Sequence, residues 1–60
     1  MMTPQEMSHI RLNAGLTQAQ LADRLGLSRS QISRYESGTC HIPYLVAQAM
    51  QALDTATAKA

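Results

Sequence analysis

Arg29 and Ser30 are followed one helical turn later by Ser33 and Arg34. Residues three and four apart share a helix face, so this spacing gathers two guanidinium groups and two hydroxyls into one outward row. A guanidinium carries only donors, in a planar fork that fits a pair of acceptor atoms, whereas a hydroxyl both donates and accepts. The row is therefore suited to recognition through hydrogen bonds and positive charge.

Covalent chemistry has no comparable foothold. The chain contains no glycine-rich phosphate loop, no paired carboxylates on one helix face, and no nucleophile beside an oriented base. Ser28 and His41 do not make a dyad. Cys40 and His41, with His9 far away in the chain, fall short of the ligands a structural zinc site requires, so neither a metal nor another cofactor is expected. The reading is of a protein that is not an enzyme.

The chain has 60 residues, enough for one small domain. It has no Phe or Trp and only two Tyr, so its core must come from Leu, Ile, Val, Met and Ala, a palette that favours helices over sheets. An all-α fold follows. The one cysteine cannot close an internal disulfide, no apolar run is long enough for a membrane span, and Met1 to Glu6 lacks a signal-peptide layout. These features imply a soluble protein of a reducing cytoplasm. Net charge is only +1, but three of the five cationic residues, Arg24, Arg29 and Arg34, lie between Thr17 and Glu36. Local charge thus exceeds what the total suggests.

Four helices must position the row. Thr3-Pro4-Gln5-Glu6 combines a cap, a first-turn proline and a capping-box glutamate, and the first helix runs to about Asn13. Met7, Ile10, Arg11 and Ala14 share its inner face, which sets Arg11 among apolar residues. Gly15 ends that helix, and Leu16 anchors the link. Thr17 with Gln20 begins a second, two-turn helix striped by Leu21, Ala22 and Leu25. Gly26 stops it, Leu27 turns inward, and Ser28 with Gln31 gives a third capping box.

The third helix runs to about Glu36 with Ile32 and Tyr35 inward, and Gly38 ends it. A polar connection, Thr39 to Ile42, leads to Pro43 in the first turn of a fourth helix. Val46, Ala49, Met50 and Leu53 form the inner face of that helix. Ile42, Tyr44 and Leu45 lie off this face and are expected to leave apolar surface exposed, favouring a homodimer through this region. The domain is placed at residues 1–54, and residues 55–60, without a large apolar side chain, are read as a frayed tail.

The back-to-back second and third helices, with Ala22 where they approach, Gly26 at the turn and Ile32 between them, have the spacing of a helix-turn-helix. The chain resembles the phage Cro and repressor type of helix-turn-helix protein. The resemblance is carried by G-L-T-Q-A-Q-L-A from Gly15 to Ala22 and S-R-S-Q-I-S-R-Y-E-S-G from Ser28 to Gly38, and spans roughly Met7 to Leu53. It implies a compact four-helix domain that binds double-stranded DNA. Many members continue into a fifth helix, for which this chain offers only Thr55 to Ala60.

Carried over residue by residue, the resemblance makes Arg29, Ser30, Ser33 and Arg34 the base-reading and groove-wall positions. Gln18 is placed on a phosphate at a helix N-terminus. Beside the resemblance, Thr17 and Ser28 are read as further phosphate contacts, and His41 as one when protonated, where Thr39, Cys40 and His41 replace the basic residues many members carry. Arg11 and Glu36 correspond to a structural ion pair of the family. The implied activity is that of a transcriptional regulator, a repressor that binds a palindromic operator as a homodimer with the third helix in the major groove, in a bacterial or phage setting. The alternative is an antitoxin-like or adaptor module that uses the same helices to hold another protein, and a purely architectural DNA binder is a further reading.

Overall fold

The computed structural model describes the backbone of residues 1–59 and the side chains of residues 1–57. Among the described residues there are four α-helices and no strand: α1 (Pro4–Asn13), α2 (Gln18–Leu25), α3 (Arg29–Ser37) and α4 (Tyr44–Lys59). The chain is all-α. Helix α3 packs against α1 and α2, and α4 closes the other side of α1.

The first two helices start as their sequences dictate. The Thr3 hydroxyl accepts from the Glu6 N–H at 3.1 Å and the Glu6 carboxylate accepts from the Thr3 N–H at 3.1 Å. Thr17 and Gln20 repeat this exchange at 2.9 and 3.1 Å. Each exchange satisfies two N–H groups near the helix start, and replacing such a cap by alanine typically costs ~1 kcal/mol. At Ser28 only half of the expected box forms. Its hydroxyl accepts from the Gln31 N–H at 3.1 Å, but the Gln31 side chain does not return to the Ser28 backbone.

Between α2 and α3 the chain reverses through Gly26, Leu27 and Ser28 alone. Gly26 has φ +70°, and a Cβ built on it would meet nothing within 4 Å. Glycine is needed there for its left-handed backbone rather than for space. The Leu27 N–H donates to the Ala22 carbonyl at 2.8 Å, which closes the helix end and turns Leu27 onto the core.

The core is one cluster of Met7, Ile10, Leu21, Ala22, Ile32, Tyr35, Ile42 and Met50, with Met7, Leu21, Ile32 and Met50 fully buried. Each large side chain there contributes about 1.5–3 kcal/mol through burial. Leu16, Leu25, Val46, Ala47 and Leu53 pack around it, half-buried.

Three features of the C-terminal third differ from the sequence reading. Ile42 was expected on the surface and is buried, because it lies in the non-helical link ahead of α4, where helical periodicity assigns no face. Pro43 precedes α4 rather than entering its first turn: its carbonyl accepts the Ala47 N–H at 3.0 Å, as a capping residue does. The expected frayed tail is instead helical through Lys59. Nothing between Asp54 and Lys59 is a glycine or proline, alanine propagates a helix well, and the Thr57 hydroxyl donates back to the Leu53 carbonyl at 2.9 Å. The last residue of that tail, Ala60, lies outside the described residues.

Candidate nucleic-acid interface

Gln18, Arg29, Ser30, Ser33 and Arg34 line one open concavity of about 360 Å³. Helix α3 supplies four of these side chains from its exposed face, and α2 supplies Gln18 from its first position. All four base-reading candidates of the sequence analysis are exposed and converge with the first phosphate candidate. Among the described residues no side-chain hydrogen bond or ion pair occupies Arg29, Ser30, Ser33 or Arg34. Their donors are open to a partner.

Beside this row, one helical turn beyond Ser33, the polar groups are already committed within the protein. Glu36, with its side chain 7% exposed, forms a bidentate pair with Arg11: Nε donates to Oε2 at 2.8 Å and Nη2 to Oε1 at 3.1 Å. Arg11 also donates through Nη1 to the Leu16 carbonyl at 2.9 Å, which ties down the α1–α2 link. Oε1 of Glu36 further accepts from Ser8 Oγ at 3.2 Å and from Gln18 Nε2 at 3.3 Å. One carboxylate therefore joins α1, α2 and α3. Among the described residues no buried side-chain nitrogen or oxygen lacks a partner, so the desolvation of this pair is offset by a complete set of bonds.

Two members of this network were not anticipated. Ser8 lies three positions before Arg11 and so on the same helix face, a signal the sequence did contain. The bond from Gln18 to Glu36 crosses between helices and has no local signal.

The remaining phosphate candidates are dispersed. The hydroxyls of Thr17 and Ser28 accept backbone N–H groups at their helix starts, which leaves each O–H free to donate. His41 is exposed but lines a different depression, beside Thr3, Pro4, Gly38 and Ile42, and the concavity does not include it. Nor does His9 approach it; His9 sits on α1, 3.1 Å from Asn13 Nδ2. Among the described residues no group of three His, Cys, Asp or Glu side chains gathers to hold a metal, and Cys40 is a free thiol. No described helix is long and apolar enough to cross a membrane.

A helix-turn-helix family model matches residues 8–51, most of the chain and all of the paired helices. The chain belongs to the Cro/repressor-type helix-turn-helix family. No curated protein and no solved structure gives a significant match. This is a DNA-binding regulatory family rather than an enzyme family, and the helix-turn-helix of this member is α2 and α3. Its short link and its Ala22–Ile32 contact region set the angle at which α3 presents the concavity.

Proposed function

We propose that this helix-turn-helix protein is a sequence-specific regulator of transcription, a repressor that binds a palindromic operator as a homodimer in a bacterial or phage cytoplasm. The observation that carries the proposal is the convergence of Gln18, Arg29, Ser30, Ser33 and Arg34 on one exposed concavity. Helix α3 lies in the major groove, ~12 Å wide, with Arg29 and Arg34 reaching acceptor atoms such as guanine O6 and N7. Ser30 and Ser33 read more permissively, because a hydroxyl accepts or donates. Gln18, the Thr17 and Ser28 hydroxyls and the first N–H groups of α2 hold the phosphate backbone. His41 reaches DNA only at the margin, since it lies outside the concavity.

Dimerisation is supported by apolar surface next to the reading helix. Tyr44 and Leu45 are 74% and 76% exposed, and a depression of about 380 Å³ runs beside Leu45 among Leu25, Leu27, Tyr35 and Val46. Burial of this surface in a second copy sets two α3 helices on one side of the assembly. A low net charge makes a lone subunit a weak binder, and a second subunit multiplies its phosphate contacts.

Selection of bound duplexes from random DNA tests the proposal. The expected product is an enriched inverted repeat with half-site centres roughly 34 Å apart. Recovery of bound DNA without an enriched motif would replace the regulator with an architectural binder. Absence of DNA binding at low salt, with a stoichiometric protein captured instead, would favour the antitoxin-like or adaptor module.

A further inference from the structure

Gln18 is not a free arm at the edge of the concavity. Its Nε2 donates to Glu36 Oε1 at 3.3 Å. A carboxylate has no proton to give, so the amide can face it only with its nitrogen, and that settles which end of the glutamine points inward. One N–H and the carbonyl oxygen remain for the concavity that Gln18 shares with Arg29, Ser30, Ser33 and Arg34.

The dependence runs one way. Glu36 is held by two bonds from Arg11 and one from Ser8, all from α1, and these would fix its place without Gln18. By contrast, no other side-chain bond holds Gln18 among the described residues. We propose that Glu36 is a positioning residue for DNA binding, which orders the Gln18 amide before the duplex arrives and so couples the buried Arg11–Glu36 pair to the phosphate contact. A glutamine already held in one rotamer loses less conformational freedom on binding than a free one. The inference rests on the DNA-binding reading of the concavity.

Charge gives the proposal a distinctive sign. Glu36 is an anion close to a surface that would receive a polyanion, so electrostatics alone expects its neutralisation to tighten DNA binding. Positioning expects the reverse. Binding to a fluorescein-labelled duplex of random sequence at low salt is to be measured for the wild type, Gln18→Ala, Glu36→Gln and the double variant. The phosphate contact is independent of sequence, so no operator is needed.

Gln18→Ala is expected to weaken binding roughly 10-fold, as for loss of a hydrogen bond to a charged group. Glu36→Gln is expected to weaken it roughly 3-fold in the wild-type background, and to leave it unchanged or tighten it once Gln18 is alanine. Equal effects of Glu36→Gln in both backgrounds, whether tightening or weakening, would overturn the proposal while leaving DNA binding itself intact. Failure of the wild type to bind would overturn the DNA-binding reading, and the positioning role with it. If Glu36→Gln does not fold, side-chain ¹⁵N relaxation of the wild type decides: Gln18 Nε2 is expected to be as ordered as the backbone, and mobility like that of exposed Gln5 and Gln51 would overturn the proposal.

Discussion

Two neighbouring sets of polar groups on α3 are satisfied in opposite ways. At the edge of the helix that meets α1, Glu36 is bonded by Arg11, Ser8 and Gln18. Outward, Arg29, Ser30, Ser33 and Arg34 are exposed and, among the described residues, unengaged. Both sets are polar and neither belongs to the buried Ile32 and Tyr35 face, so composition alone would not separate them. The separation comes from what satisfies the groups: the Glu36 set is completed by the protein, whereas the Arg29 set has no side-chain partner among the described residues. Gln18 is the one described side chain that belongs to both, bonded to Glu36 and lining the concavity.

Substitutions in the two sets should therefore separate stability from binding. The largest effect is expected from Glu36→Ala, which strands the Arg11 guanidinium at 12% exposure. Loss of one partner of a buried pair costs about 3–5 kcal/mol, a large share of what so small a domain has, and urea denaturation should show most of its stability gone. A loss under ~1 kcal/mol would mean that the pair behaves as an exposed one, and the contrast between the two sets would fail.

Arg29→Ala should do the opposite. Its urea midpoint is expected to stay within about 0.5 kcal/mol of wild type, as for a surface change, while discrimination between a selected operator and random DNA falls by about 1–3 kcal/mol. Equal weakening on both duplexes would make Arg29 a phosphate contact rather than a base reader.

The smallest effect concerns the turn that angles α3 towards its partner. Gly26→Ala meets open space at φ +70°, so only backbone strain opposes it, about 1–2 kcal/mol of stability. Gly26→Asn should cost less in the same denaturation experiment, because asparagine tolerates the left-handed conformation. Equal losses for the two would point instead to a contact made by any side chain at the turn.

The parts of this molecule that local chemistry controls were legible in the sequence. Thr3 with Glu6, Thr17 with Gln20, Gly26, and the inward Ile32 and Tyr35 all act over one turn or less, and the structure has them as read. The outward row was legible for the same reason, being the remainder of α3 once its buried face is assigned. The Arg11–Glu36 pair was legible only through the family resemblance, since 25 residues separate its members. Three further features escaped: Ile42 sits in a link where periodicity gives no face, α4 continues past Asp54 because no breaker follows, and Gln18 meets Glu36 only after α2 and α3 have packed.

The proposed DNA-binding surface is the outward row of α3. Titration of ¹⁵N-labelled protein with a random-sequence duplex at low salt, followed by amide chemical shifts, tests this most directly. The expected perturbations concentrate at Gln18, Arg29, Ser30, Ser33 and Arg34, with the Met7, Leu21 and Met50 amides of the core little changed. Perturbations centred on Tyr44 and Leu45, with the α3 row silent, would contradict it.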